Sequence, residues 1–329
     1  MELIRPPDIS VIICTHNPNY DRLSRTLRAL QAQSLSAELW DLLLIDNASL
    51  TPVTITAQEA NRIPIRMVRE NELGLTPARL RGIRESSGEL LVFVDDDNVL
   101  DEHYLLNATS IAASHPLIGA FGGSIAAEFE EPPPNWVVPY LPELAIREID
   151  RDYWSNLATW SLAVPCGAGL CVRRAVAEDY ARKAGAGPIR KALDRTGSGM
   201  SAGGDIDLAW CAVDLGMGTG RFQSLTLTHL IPKSRLTVDY ITRLHAGIEA
   251  SSLILNSFRT DAAPPREVPM WREMVQLALI IARKPSRERR ILRATQRALR
   301  EARALIAGRH SKCEPSVSYV PPGKKSPVP

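Results

Sequence analysis

Three apolar runs, each cut off by short polar residues, constrain the fold of this chain more than any other feature. Residues 9–14 (ISVIIC) lead into Thr15, His16 and Asn17. Residues 42–45 (LLLI) lead into Asp46 and Asn47, and residues 90–94 (LLVFV) into Asp95, Asp96 and Asp97. Runs this apolar, rich in β-branched residues and without polar alternation, suit strands buried on both faces. A further short strand is expected at 65–68. Helical patterns separate them. Residues 21–33 carry Leu23, Leu27 and Leu30 at helical spacing, with Asp21 placed as a cap. Residues 76–86 have Pro77 in the first turn and Gly88 beyond the end. Strand, helix, strand, helix, strand is the order of an α/β chain with a mostly parallel sheet flanked by helices. Ligands of such sheets sit beyond the carboxyl ends of the strands. The three polar strand ends therefore fall on one functional edge.

The residue types at that edge suggest what is bound there. Three adjacent carboxylates repel one another, and a divalent cation compensates them; hard cations prefer oxygen ligands. The alternative for Asp95, Asp96 and Asp97 is a solvated acidic turn with Asn98 as a helix cap. Thr15, His16, Asn17, Asp46 and Asn47 have the short polar side chains that read a base and ribose hydroxyls, and each taken alone also suits a turn or cap. A second acidic site lies at 203–208 (GGDIDL). Asp205 there is either a helix cap or a general base aimed into a cleft, with Asp207 capping or supporting while Asp205 points outward.

The middle of the chain is less regular. A strand broken by Gly122 and Gly123 is expected at 120–127, and a loop with five prolines at 130–142. A strand interrupted by a glycine turn is expected at 162–172, and a mobile loop at 185–204. A short strand at 225–227 precedes His229, and a long helix follows at 238–258. Five of the chain's 18 aromatic residues (Trp136, Tyr140, Tyr153, Trp154 and Trp160) fall between 135 and 160. They suit either an acceptor-side wall or the packing of an insertion.

Composition sets outer limits. With 45% hydrophobic and 23% charged residues over 329 positions, bulk disorder and collagen are excluded. A net charge of +2 argues against a surface coated for nucleic acid. Five scattered cysteines without a CxxC suggest neither a disulfide scaffold nor structural zinc, and fit a reducing compartment. The N-terminus has no apolar signal region, and the apolar run at 277–282 is too short to span a bilayer. The expected location is cytoplasmic, with a peripheral place at the inner face of the plasma membrane open to it. That option comes from the C-terminus. Residues 283–312 hold 11 basic and two acidic residues, a net of +9, against −7 for the remainder. The amphipathic pattern at 288–306 suits an anionic membrane surface, the protein's own acidic body, or a contact between copies. The chain divides accordingly into a body at 1–262, a basic helical extension at 263–310 and a Pro/Ser/Lys-rich, disordered tail at 311–329.

SVIICTHNP, DLLLIDNAS and NELGLTPARLRGIRESSGELLVFVDDDNVL together resemble the N-terminal half of a family-2 glycosyltransferase of the GT-A fold. GGDIDLAW resembles that family's xED motif, PCGAG its glycine loop, and THLIPKSRLT the segment with its metal-binding histidine. The order is preserved over residues 9–245. The resemblance implies an inverting, nucleotide-sugar-dependent glycosyltransferase using Mn2+ or Mg2+, with a UDP-sugar the leading donor. A glycan, lipid-linked or other hydroxyl acceptor is implied, in a pathway such as cell-surface polysaccharide synthesis. It places Thr15, Asn17, Asp46, Asn47, Arg79, Asp95 and Asp96 at the nucleotide, Asp97 and His229 on the metal, and Asp205 as general base. One departure stands out: Gly204 occupies the position of the acid that precedes the aspartate of xED.

Two rivals follow. A dehalogenase-type phosphatase also uses a DxD, but that family places it after the first strand, which here ends in Thr15, His16 and Asn17. A glycosyltransferase-like binding protein that has lost turnover draws on Gly204, against the presence of Asp97, Asp205 and His229.

Overall fold

The computed structural model describes residues 8–259 and 284–312, apart from 57, 58, 61, 62, 186, 192 and 198. The expected tail beyond 312 and the first part of the C-terminal extension lie outside the described residues.

The three apolar runs are the strands β1 (Ile9–Thr15), β2 (Trp40–Asn47) and β4 (Leu90–Asp95), joined by β3 (Ile65–Glu70). They pair in parallel in the order β3-β2-β1-β4. Successive side chains of a strand point to opposite faces, and both faces are used. Val11, Ile13, Leu42, Leu44 and Val92 face a core shared with Leu23, Leu27 and Leu30 of α1 (Tyr20–Gln31) and with Tyr104 and Leu105 of α3 (Tyr104–Ser114). Ile12, Leu43, Ile45, Leu91 and Phe93 face the opposite core. There they meet Ala78 and Ile83 of α2 (Leu75–Glu85), Val176 and Tyr180 of α4 (Arg174–Gly185), and Leu208 of α6 (Gly204–Asp214). Asn19, not Asp21, caps α1: its side chain accepts from the Arg22 N–H at 3.0 Å, and Asp21 sits in the first turn.

Beyond β4 the sheet becomes mixed. It is completed by β5 (Asn98–Leu100), β6 (Ile118–Phe129), β7 (Tyr153–Ser155), β8 (Leu170–Arg173) and β9 (Gly218–Ile231). β8 runs antiparallel to both β4 and β6, β6 pairs in parallel with β9, and β5 and β7 lie antiparallel to β9. The parallel pairing expected thus holds across β3-β2-β1-β4 and between β6 and β9, and the other pairings are antiparallel. The glycine pair does not break β6. The register with β9 slips between Gly122 and Ser124, and a Cβ at Gly123 would lie 1.8 Å from the Leu225 carbonyl oxygen. Only glycine lets the two backbones meet there. The three-residue strand expected at 225–227 is the centre of the 14-residue β9, masked in sequence by Gly218, Gly220 and polar neighbours. His229 therefore lies within a strand, not after one.

The segment expected to be a mobile loop is packed in part, with Thr196, Gly197 and Gly199 exposed. It forms α5 (Pro188–Lys191) and buries Leu193 and Asp194. The C-terminal amphipathic pattern is α8 (Ser286–Lys312), lying against α7 (Val238–Arg259). Its Ile291 packs with Leu236, Ile241 and Leu244, while Ala302 and Ile306 join Leu193, Ile206 and Trp210. Arg287 stacks over the Trp136 ring at 4.6 Å. Among the described residues no helix is long and apolar enough to cross a membrane.

Candidate active site

Because β1, β2 and β4 run in parallel, their polar ends open together into a cleft of about 450 Å³. Thr15, Asn47, Arg79, Asp95, Asp96, Asp97, Asp205 and His229, all singled out in the sequence, line it. Asn17 and Asp46 are not among its lining residues. Asn17 is exposed with φ 49°, and ties the ends of β1 and β2: its N–H donates to Ser49 Oγ at 2.9 Å and its Oδ1 accepts from the Leu50 N–H at 2.9 Å. Asp46 accepts from the Ser49 N–H at 3.1 Å, the Val53 N–H at 3.3 Å and Arg69 Nη1 at 2.6 Å. Burial alone would raise its carboxyl, but these donors hold it below the ordinary carboxylate range. Asn47 braces the rim, donating to the Glu72 carbonyl at 2.7 Å and accepting from the Gly74 N–H at 2.8 Å.

The acidic triplet is not a solvated turn. Thr15 Oγ1 donates to Asp96 Oδ2, and Asn98 Oδ1 accepts from the Asp95 N–H at 3.2 Å. Asp97 is only 2% exposed. Its Oδ2 accepts from Arg235 Nη2 at 2.7 Å, and its Oδ1 lies 3.4 Å from His229 Nε2. His229 Nδ1 faces the Leu144 carbonyl at 2.9 Å. A carbonyl only accepts, so that nitrogen carries the proton and the Nε2 lone pair is left to accept from Arg235 Nη1 at 2.9 Å. The three carboxyls accordingly differ. Burial and the charge of Asp97 raise Asp95 and push Asp96 up to about 6. Burial works against Asp97 too, yet the Arg235 guanidinium holds it well below the usual range.

A carboxylate oxygen and an imidazole nitrogen whose tautomer is fixed from behind form a donor pair suited to a divalent cation. The cleft residues fit such an ion, on the condition that the guanidinium of Arg235, which now satisfies both ligands, withdraws from them.

Asp205 sits in the first turn of α6, opposite the triplet's strand. The Gly167 N–H donates to its Oδ2 at 2.7 Å and the Ile206 N–H to its Oδ1 at 2.9 Å. The glycine loop at 165–169 thus orients the carboxylate within the cleft. Asp207 is fully buried and takes Arg190 Nη1 on both oxygens at 2.7 Å. The two aspartates divide the roles left open in the sequence: Asp207 secures the helix, and Asp205 faces the cleft. The cleft offers no covalent nucleophile in Cys14, whose thiol is pushed up to about 12 by burial. Of the five clustered aromatics, Trp160 lines the cleft, with its ring edge-to-face on Trp210 at 5.5 Å.

His16, named in the sequence beside Thr15 and Asn17, also lines the cleft, and its Nδ1 lies 2.7 Å from the Asn47 carbonyl oxygen. Other lining residues were not anticipated, among them Arg235, Asp194 and Arg195. Arg235 lies six residues after His229, within the motif THLIPKSRLT, and its position was the available signal. Asp194 and Arg195 come from the segment expected to be mobile, and no local pattern marks them. Asp194 is 5% exposed, and accepts from Thr76 Oγ1 at 2.8 Å and from Arg79 Nη1 at 2.9 Å.

Comparison with known proteins bears on the fold and the family. The human polypeptide N-acetylgalactosaminyltransferase 13 is 33% identical over 94 residues, which is 27% of this chain and 17% of that protein. The chain spans less than a fifth of the length of such curated relatives. The mannosyltransferase PcManGT from Pyrobaculum calidifontis, solved with GDP-Man and Mn2+, superposes with a TM-score of 0.50 at 16% identity, over 94% of this chain and 77% of that one. S. aureus TarS 1–349, solved with UDP-GlcNAc, superposes with a TM-score of 0.50 at 12% identity, over 93% and 92%. The fold is therefore the GT-A type expected from the sequence. The model of glycosyl transferase family 2 matches residues 10–180, which end before Asp205 and His229 but contain β1, β2, β4 and the whole acidic triplet. That match covers just over half of the 329 residues, and the chain belongs to this family.

Proposed function

We propose that the chain is a nucleotide-sugar-dependent glycosyltransferase that moves a sugar from a nucleoside diphosphate, a UDP-sugar foremost, to an acceptor hydroxyl with inversion at the anomeric carbon. One observation carries the reading. The strand-end carboxylates, His229 and Asp205 come from distant parts of the chain and converge on one cleft.

The chemistry follows from those groups. The acceptor oxygen bonds to the anomeric carbon as the bond from that carbon to the diphosphate breaks. The electron pair leaves on the diphosphate, and the hydroxyl proton passes to Asp205. The N–H groups of Gly167 and Ile206 hold one oxygen each and keep the carboxylate aimed. Asp97 and His229 would hold Mn2+ or Mg2+, which when bound supplies Lewis-acid neutralisation of the diphosphate charge. Thr15, steadied on Asp96, and Asn47 lie on the nucleotide side, while Trp160 offers a flat wall to the acceptor. The complexes of the structural relatives with GDP-Man and Mn2+ and with UDP-GlcNAc support this class of donor.

The acceptor we propose is a glycan or lipid-linked hydroxyl in cell-surface glycan assembly, met at the cytoplasmic face of the membrane. Ile291, Ala302 and Ile306 of α8 are spent on the body, while Leu305 stays exposed. Attraction to anionic lipid therefore rests on its exposed arginines, among them Arg293 and Arg300.

A thermal-shift screen of UDP-, GDP- and dTDP-sugars with and without Mn2+, followed by donor hydrolysis and transfer assays, tests the reading. Stabilisation by one donor, strengthened by Mn2+, together with turnover supports it. Stabilisation without any turnover favours the binding-only alternative that Gly204 raises.

A further inference from the structure

Gly204 leaves α6 without the acid that the resemblance leads one to expect beside Asp205, and the space is not empty. A Cβ built on Gly204 would lie 2.1 Å from Asp194 Oδ2, 2.3 Å from its Cγ and 2.6 Å from its Oδ1. Asp194, ten residues earlier in sequence and carried by the segment before α6, has its carboxylate where the first side-chain atom of residue 204 would begin. Glycine at 204 is thus a steric condition for Asp194 to be there at all.

The carboxylate is tied into the cleft floor. It accepts from Thr76 Oγ1 at 2.8 Å and takes Arg79 Nη1 on both oxygens at 3.1 and 2.9 Å, a pair at most 5% exposed on either side. The other terminal nitrogen of Arg79 lies against the glycine loop: a Cβ on Gly167 would stand 2.9 Å from Arg79 Nη2 and 3.4 Å from Asp205 Oδ2. Gly167 in turn donates its N–H to Asp205 Oδ2 at 2.7 Å. The charges of Asp194 and Asp205 both raise the Arg79 guanidinium. A continuous path therefore runs from Asp194 through Arg79 and Gly167 to Asp205.

We propose that Asp194 supplies from the loop the carboxylate that the helix lacks at Gly204, and that it is a positioning residue which holds Arg79 against the Gly167–Asp205 pair. This rests on the reading of Asp205 as the base of a glycosyltransferase. The acid of the motif has not been lost but relocated, so the site is complete only when Asp194 is packed against Gly204 of α6. Arg79 is accordingly part of the floor beneath Asp205 more than a hand on the nucleotide.

The test uses the full-length protein and five variants, each assayed at a temperature where circular dichroism shows it folded. Asp194→Asn keeps the shape and removes the charge. The expected result is a fall in kcat of about tenfold or more with donor KM within about threefold, and an acidic limb of the pH–rate profile moved to lower pH, because the charge of Arg79 is no longer neutralised. Gly204→Ala should lower the melting temperature in the wild-type background but not in Asp194→Gly, where the carboxylate is gone. Asp194→Gly/Gly204→Asp, which returns an acid to the helix beside the space that Asp194 vacates, should regain most of the kcat that Asp194→Gly loses. Wild-type kcat and pH profile in Asp194→Asn, or equal cost of Gly204→Ala in both backgrounds, would overturn the proposal. The melting-temperature cycle reads the shared space without any turnover, so it still decides the steric claim if no donor is ever found and the glycosyltransferase reading itself fails.

Discussion

Arg235 donates to the buried carboxylate of Asp97 at 2.7 Å, and in doing so its guanidinium stands where a cation shared by Asp97 and His229 would have to act. The protein thus carries an internal cation on the ligands expected for a divalent one. Removing one member of a buried pair leaves the other charge uncompensated, at a cost on the order of 3 kcal/mol. Arg235→Ala should therefore melt several degrees lower than wild type without metal, and Mn2+ should restore more of that loss than it adds to the wild type. Differential scanning fluorimetry across a Mn2+ series checks this. Equal Mn2+ shifts in both proteins would mean that the ion binds elsewhere.

Asp205→Asn keeps the size of the side chain and its place in the first turn of α6, but it cannot take up a proton. Loss of a general base costs ~10²-fold or more. Turnover should drop by at least that factor while calorimetric affinity for the nucleoside diphosphate stays near wild type. Near-normal turnover would leave Asp205 as a helix-terminus residue only.

Asp46 makes a stability prediction with a definite sign. Its carboxyl is lowered in the folded protein, so its contribution is present above the unfolded value of about 3.9 and is lost as pH falls through the folded value. Asp46→Asn should cost about 2 kcal/mol at pH 7, the scale of hydrogen bonds to a charged group. The gap to wild type should close as the pH is taken below 3.9. Urea unfolding of both proteins at several pH values measures it, and a gap independent of pH would assign the effect to shape and not to charge.

The exposed arginines of α8 separate membrane attraction from stability. Arg293 and Arg300 are exposed, whereas Ile291, Ala302 and Ile306 are buried against the body. Arg293→Glu/Arg300→Glu should leave the melting temperature within about a degree of wild type and reduce sedimentation with anionic vesicles. Salt should reduce wild-type sedimentation similarly, since the attraction is screened over about 10 Å at 0.1 M. Sedimentation unchanged by the double substitution would remove the electrostatic reading.

What was legible in the sequence follows the range of the interactions involved. β1, β2 and β4 declare themselves because strands buried on both faces must be apolar throughout, and their polar ends then share an edge by topology. Strand β9 is hidden because its burial comes from neighbours that the sequence does not place beside it, and Gly218 and Gly220 carry little strand preference. Asp97 and His229 could be named from order along the chain. Their bond to Arg235 depends on a turn six residues further on, which no periodicity encodes. Asp194 was invisible for the same reason. A carboxylate in a stretch of small polar residues looks solvated until the fold brings Arg79 and Thr76 to it. The cap of α1 shows the smaller scale: Asn19 and Asp21 both suit a cap, and backbone geometry decided between them.

Isothermal titration of UDP into the wild-type protein and Asp97→Ala, each with Mn2+ and again in excess EDTA, tests the central claim most directly. The claim is that Asp97, at the end of β4, serves a divalent cation that holds a nucleoside diphosphate. The account predicts binding to wild type in Mn2+, a loss of at least tenfold in affinity in EDTA, and a comparable loss in Asp97→Ala that Mn2+ does not repair. Equal affinity in all four titrations would contradict it.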